Sequence, residues 1–281
     1  MKLSEINSTQ RKEAVKLLYH YLKNPGLFSI LVLGEVGVGK SHWIRAIQEE
    51  LQGKSECTKQ VTELSLTSIH PTKEAWKQVF TEANGGILVL TELEKVKPHD
   101  ALLFEALTTY DGKYGFEKKE FNFRVVFTSS YSIDSLRKTE EYVSNRLFDR
   151  VSQLVVKLPS FADANRYIWD DFQASWNKMQ FQEKKELPGS ELKKWLESKG
   201  HSLKGNFRDL DKIAILWHQF RLMGIEEGKI WERVKEQFEG YSAFPEQHTG
   251  LEDAQKRKKP SQIGMAFFLR SGRDSNSRPH A

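Results

Sequence analysis

Cysteine is almost missing from this chain. A single thiol, Cys57, in 281 residues excludes an intrachain disulfide and any metal cluster built on cysteine. Long apolar runs are missing as well. None approaches the ~20 residues that a membrane-spanning helix needs, so no membrane association is expected. The opening segment, "MKLSEINSTQRKEAVKLLYHYL", is amphipathic and charged, without the apolar stretch and cleavage site of a secretory leader. A cytoplasmic protein is expected. Nor does the chain carry strong charge of one sign. Its formal net charge is +5, and the segment from Glu246 onward, with seven Lys/Arg against four Asp/Glu, accounts for +3 of it. The isoelectric point near 9.0 therefore owes much to the tail's "QKRKKP" and says little about the body. Nucleic acid could be reached through that basic tail, whose bland alternative is a solvated disordered end.

What is present supports a core. Hydrophobic residues make up 38% of the chain and include seven Trp and 17 Phe, and the length suits one large domain or two smaller ones. Short apolar runs at 27–33, 85–90, 123–130 and 152–160, with "QVTELSL" at 60–66, read as five strands, those at 27–33 and 85–90 as buried ones. Helical patterns separate them at 8–23, 40–51, 72–83, 98–110 and 140–151, with Ser8 or Thr9 as the first N-cap. The stretch "YDGKYGFEKKEFNF" reads as a turn or small hairpin, with Gly112 and Gly115 in turn conformations. Alternation of this kind predicts an α/β fold with a mostly parallel five-stranded sheet. From Phe161 four helical patterns follow with no strand between them. The expected organisation is an α/β nucleotide-binding domain over 1–160, a helical domain over 161–240 and a basic, disordered tail over 241–281, within which "GMAFFLR" is a lone apolar island.

The nucleotide assignment comes from "GEVGVGKS", which places Gly34, Gly39, Lys40 and Ser41 in the G-x-x-x-x-G-K-[ST] pattern between a buried strand and a helix. Glycines let backbone N–H groups turn toward phosphates. Lys40 neutralises the β and γ phosphates, Ser41 offers a hydroxyl to Mg²⁺, and the helix directs its positive end at the anion. The whole loop, Gly34, Glu35, Val36, Gly37, Val38, Gly39, Lys40 and Ser41, is the candidate binding element for ATP, with Glu35, Val36 and Val38 read as plain loop residues. The alternative is a chance glycine-rich turn, which the flanking strand and helix argue against.

A second stretch, "GGILVLTELEK", has the form of the matching hydrolysis motif with one acid missing. ATPases usually end a neighbouring strand with two acids, one serving Mg²⁺ and one acting on the attacking water. Here Thr91 occupies the first position and Glu92 the second. Thr91 can hydrogen-bond a metal-bound water but brings no negative charge, so the Mg²⁺ site would rest on Ser41, Thr91, phosphates and water. Glu94 and Asp100 follow nearby, at an offset of two or more residues. The bland reading of Glu92 is an ordinary strand-end carboxylate.

Beyond these two stretches the chain continues with "DALLFEALTTYDGKYGF", "FRVVFTSS", "RLFDRVSQLVVKLPSF" and "LKGNFRDLDKIAIL". In this order, over roughly residues 8–220, it resembles the AAA+ ATPases, and among them the sigma-54 interaction domain of bacterial enhancer-binding proteins. The resemblance implies an AAA+ core followed by a small helical lid. It implies a sensor role for Ser130, at a position where the family usually has Asn, and a second sensor role for Arg208, reaching back from the lid. It places Arg150, and less securely Arg146, where the family draws arginine fingers across a subunit interface, and so implies a homo-oligomeric ring or part-ring. The bland alternatives are a helix cap for Ser130, a lid salt bridge for Arg208 and solvated charge for Arg146 and Arg150. The "GAFTGA" loop by which such activators grip the sigma factor has no counterpart in residues 54–85. Neither a receiver domain nor a DNA-binding helix-turn-helix is evident, so a working sigma-54 activator is not expected.

Three functions remain open from the sequence. The first is an ATP-driven machine that remodels a protein or nucleoprotein partner, hydrolysing slowly because Thr91 replaces an acid. The second is a switch or scaffold that binds ATP without hydrolysing it. The third is a DNA-associated helper ATPase or transcription regulator.

Overall fold

The computed structural model describes residues 8–23, 29–53, 61–107, 114–116, 119–138, 141–163, 167–179 and 187–242. Cys57, Gly112, "QKRKKP", "GMAFFLR" and the expected disordered tail beyond 242 lie outside them. Five strands form one sheet: β1 (Ile30–Leu33), β2 (Val61–Ser65), β3 (Ile87–Thr91), β6 (Arg124–Ser129) and β7 (Leu154–Lys157). The order is β2-β3-β6-β1-β7, and every neighbouring pair is parallel. The α/β reading and the five-stranded parallel sheet both hold.

Parallel strands need crossovers, and crossovers cover both faces with helices. The alternation of side chains along each strand then fills two separate cores. Ile30, Val32, Ile87, Val89, Val126 and Val156 face the helices α1 (Thr9–Lys23) and α2 (Lys40–Gly53). Leu31, Leu33, Leu88, Leu90, Val125 and Phe127 face α3 (Lys73–Ala83), α4 (Asp100–Ala106) and α6 (Asn145–Val151). The second core is aromatic. Phe80 lies 4.9 to 5.6 Å, ring to ring, from Trp76, Phe116, Phe121 and Phe123. Phe116 and Phe121 come from a hairpin of β4 (Tyr114–Phe116) and β5 (Lys119–Phe121). Gly115 pairs with Glu120 inside that hairpin, so it is a strand residue and not the turn glycine expected.

Two helices are shorter than their apolar patterns. The one expected from 98 is a helix only from Asp100, after a 3₁₀ turn over Lys97–His99 that puts Pro98 in a first-turn position. The one expected from 140 begins at Asn145, because Ser144 caps it: its Oγ accepts from the Leu147 N–H at 3.2 Å. Asp100 in turn accepts from both the N–H and the hydroxyl of Ser144, at 2.7 and 2.6 Å. A further helix, α5 (Ile133–Lys138), was not foreseen.

Beyond the sheet lie α7 (Ile168–Lys178), α8 (Ser190–Lys199), α9 (Phe207–Leu222) and α10 (Glu227–Ser242). Phe172, Leu196, Leu210, Ile213, Trp217 and Val234 are among the side chains of a third apolar cluster. Contacts divide the chain into Met1–Phe238 and Glu239–Ala281. Within the first of these units, α1 is tied to α7 by a buried ion pair, Arg11 Nη1 to Asp171 Oδ2 at 2.7 Å. The Arg11 guanidinium also lies 4.8 Å from the Phe207 ring centre and 5.6 Å from that of Phe161. Its Nε and Nη2 are buried without acceptors. Burial pushes the Asp171 carboxyl above its ordinary range against the pull of Arg11. Such a pair contributes little net stability, but removing one partner strands the other charge. Asp171→Ala is expected to cost about 3–5 kcal/mol in urea unfolding, whereas Arg11→Met/Asp171→Leu stays near wild type. Equal losses from both would contradict this account.

Candidate functional site

The loop 34–39 leaves the end of β1 and enters α2, whose first residues are Lys40 and Ser41. This places it beyond the carboxyl edge of the parallel sheet, where strand order lets crossovers diverge and a crevice opens. A cavity of about 1260 Å³ lies there. Gly37, Gly39, Lys40 and Ser41 line it from the loop, and Glu63, Thr91, Glu92, Glu94, Thr128, Ser129 and Ser130 from the strand ends. Asp170, Ser175, Lys178, Phe207, Arg208 and Asp211 line it from α7 and α9.

The loop's shape is set from far away in sequence. Asn206 is fully buried with φ +50°. Its amide nitrogen is shared among the Val36 carbonyl at 3.0 Å, the Lys204 carbonyl at 3.1 Å and Glu35 Oε2 at 3.2 Å. Its amide oxygen accepts from the Phe161 N–H at 2.7 Å. The Phe207 N–H donates to the Gly37 carbonyl at 3.1 Å. Gly37 adopts φ +80°, and a Cβ there would stand 1.9 Å from the Gly205 carbonyl oxygen, so only glycine fits. Glu35 and Val36 are therefore engaged by Asn206 rather than being idle loop residues. Val38 is 2% exposed and belongs to the core beside α2.

Lys40 turns back onto its own loop, donating to the Gly34 carbonyl at 2.6 Å and the Glu35 carbonyl at 3.1 Å. Burial lowers its pKa from 10.5 to about 8; Glu94 and Glu35 oppose the shift and Arg208 adds to it. Ser41 Oγ donates to Glu63 Oε1 at 2.5 Å. Thr91 Oγ1 lies 3.4 Å from the Leu64 carbonyl. Glu92 has φ +65°, a left-handed conformation that costs a non-glycine residue of order 1–3 kcal/mol and so points to function. Its Oε2 accepts a hydrogen bond from the Ser65 hydroxyl. A 3₁₀ turn over Leu93–Lys95 carries Glu94 back to the strand ends. There Ser129 Oγ donates to it at 2.6 Å and Ser130 Oγ at 3.2 Å. Glu94 thus reaches the cavity without any shift of the strand. Arg208 opens into the same cavity from α9.

Arg146 and Arg150 are not brought there. Both lie on α6, where Arg146 is exposed and stacks 4.4 Å over the Phe104 ring, and Arg150 is half-buried.

Glu63 was missed by the sequence reading. The alternation of β2 carries a signal for it, because Glu63 and Ser65 share a face and each touches a residue already singled out, Ser41 and Glu92. Among the described residues no group of three or more His, Cys, Asp or Glu could hold a metal ion by itself. Nor is any described helix long and apolar enough to cross a membrane.

No family model matches the chain, and no curated protein matches it. Solved structures do. One is NtrX from Brucella abortus in complex with ATP, at a TM-score of 0.58 and 19% identity over 75% of this chain and 51% of that one. Domain III of the Thermotoga maritima replication initiation protein DnaA matches at 0.58 and 16%, over 84% of this chain and 96% of that one. Orc1 from Aeropyrum pernix, in complex with DNA, matches at 0.59 and 11%, over 84% and 66%. The fold is that of the AAA+ ATPases. The chain spans about half the length of the NtrX chain it matches.

Lys40 gives the ligand-free site a pH signature. Below pH 8 the amine is protonated in folded and unfolded chains alike. Between about 8 and 10.5 only the unfolded chain keeps the proton, so folding stability gains with pH across that window. The rate of Lys40 acetylation, followed by peptide mass spectrometry, is expected to rise with a midpoint near pH 8 in ligand-free protein. A midpoint at the ordinary lysine value of ~10.4 would refute the burial account.

Proposed function

We propose that this protein binds ATP with Mg²⁺ in the cavity between the sheet and the helices beyond residue 161. The nucleotide state would be coupled to remodelling of a protein or nucleoprotein partner. The observation that carries the reading is the convergence of Lys40 and Ser41 from one side of the cavity and Arg208 from the other. The donor set suits the ligand. Loop N–H groups at a helix N-terminus suit phosphate, and Trp43 Nε1, a buried donor without an acceptor, stands beside Gly39. ATP is bound by NtrX, a protein of the same fold.

In this reading Lys40 exchanges the Gly34 and Glu35 carbonyls for the β and γ phosphates, and Ser41 turns a lone pair to the metal. Bound Mg²⁺ supplies charge neutralisation at those phosphates. Glu92, once released from Ser65, orients and deprotonates the attacking water, and Glu94 holds the Ser129 and Ser130 hydroxyls in place. Thr91 contributes no charge, which makes turnover slow. The helices over 161–240 act as the lid, and Arg208 senses the γ phosphate from it. Arg150, with Arg146 as its neighbour, meets the nucleotide of the next subunit in a ring or part-ring. Both arginines lie outside the cavity of their own chain, as a residue acting across an interface would.

A second reading, an ATP-dependent switch or scaffold that does not turn over, is favoured by the Glu92–Ser65 hydrogen bond together with Thr91. DNA association, a third, is supported by the DNA complex of Orc1. Binding that survives deletion of residues 246–281 would place it in the body rather than the basic tail.

Lys40→Ala is expected to abolish ATP binding in equilibrium titration, and Glu92→Gln to keep binding while losing at least ~10²-fold in phosphate release. If wild type and Glu92→Gln release phosphate at the same negligible rate, the switch reading replaces the machine. In sizing by light scattering, ATP is expected to drive assembly in wild type but not in Arg150→Ala. A monomer under all conditions would remove the interface role of Arg150.

A further inference from the structure

We propose that Glu63, on the outer strand β2, supplies the carboxylate that position 91 lacks, and positions the Ser41 hydroxyl for the cation. The proposal rests on the ATP–Mg²⁺ reading above and assigns within it a residue that neither motif contains. A hydroxyl that lends its lone pair to a cation must direct its proton elsewhere. Without an acceptor, the proton competes with the metal for the same direction. The strand-end acid is suited to this task, but Thr91 is neutral and its Oγ1 lies against the Leu64 carbonyl at 3.4 Å.

The acceptor is present on the neighbouring strand. Ser41 Oγ donates to Glu63 Oε1 at 2.5 Å. The other oxygen, Oε2, receives both Nε and Nη2 of Arg45, at 3.1 and 2.5 Å. This fork holds the carboxylate in one orientation and leaves Oε1 to Ser41. Exposure separates the two charges of the pair. Arg45 is 62% exposed at its side chain and Glu63 only 18%. Solvent therefore screens the guanidinium more than the carboxylate. The register fixes the reach. Glu63 pairs with Val89 and Ser65 with Thr91, so Glu63 approaches from one strand further out. It is a glutamate, one methylene longer than the aspartate of a strand-end acid pair. Thr91 then marks a carboxylate moved one strand outward, and the cation pole retains its charge.

The test separates positioning of the metal from a purely structural ion pair. The full chain is titrated calorimetrically with β,γ-methylene ATP, once in EDTA and once in Mg²⁺. In wild type Mg²⁺ tightens binding. In Glu63→Gln, an isosteric change that can still accept from Arg45, affinity in EDTA is retained, and the gain from Mg²⁺ falls by about 10-fold or more, as for other groups that orient a metal ligand. Introducing Thr91→Asp into the Glu63→Gln protein restores the gain. An unchanged Mg²⁺ response in Glu63→Gln overturns the assignment. So does parallel weakening in both buffers that Thr91→Asp fails to repair, since a structural pair would behave in that way. Wild-type protein that binds the analogue in neither buffer overturns the ATP reading itself, whereas binding in EDTA with a wild-type Mg²⁺ response in Glu63→Gln overturns the Glu63 assignment alone.

Discussion

The side chain of Asn206 is the constraint on which the site depends. It is fully buried, in a backbone conformation unusual for anything but glycine, and its amide spans three separate parts of the chain. One end holds the loop at Val36 and Glu35, and the other holds Phe161, where the chain leaves the sheet. Beside it the Gly37 carbonyl accepts from Phe207, and the Gly205 carbonyl lies so close that Gly37 has no room for a side chain. A buried amide with unmet hydrogen bonds is costly, so this knot is favourable only when all its partners are present together. The phosphate-type loop and the start of α9 are thus coupled by chemistry. A movement of α9 that breaks the contact must release the loop as well.

The polar side of the site is assembled from several strand ends, although Thr91 stands at the first acid position. The carboxylates around Lys40 and Ser41 come from three places: Glu63 on β2, Glu92 at the end of β3, and Glu94 on the turn that follows. Each is engaged by a hydroxyl, from Ser41, Ser65, and the pair Ser129 and Ser130. Hydroxyls are adaptable partners, since each can donate to a carboxylate and still accept from elsewhere. The hydrogen bonds of Glu63 and Glu94 are partly buried, and there the lower dielectric strengthens them; that of Glu92 is exposed.

A second link, between Arg11 and Asp171, holds the first helix to α7. Its guanidinium packs on Phe207, the residue after Asn206. The N-terminal helix therefore reaches the same corner as the amide knot, and α1, α7 and α9 meet where the loop is shaped. A buried ion pair of this kind adds little net stability, yet removing one partner leaves the other charge stranded.

Much of the fold was legible because it depends on local pattern. Apolar runs such as "ILVL" and "GGILVL" read as buried strands, the alternation of strand and helix as a parallel sheet, and "GEVGVGKS" as a phosphate loop, since glycine positions and one lysine carry that chemistry within eight consecutive residues. Helix starts at Asn145 and Asp100 were misjudged because a side-chain cap at Ser144 and a 3₁₀ turn over Lys97–His99, more than apolar periodicity, decide where those helices begin. By itself, then, the sequence determined the fold class and the loop. Only the tertiary structure decided that Glu63 meets Ser41, that Glu94 returns to the strand ends, and that Arg146 and Arg150 stand apart from the cavity. The reason is physical: those placements depend on which strands lie side by side and on which carboxylate finds a hydroxyl there, and neither is encoded within a single stretch of chain.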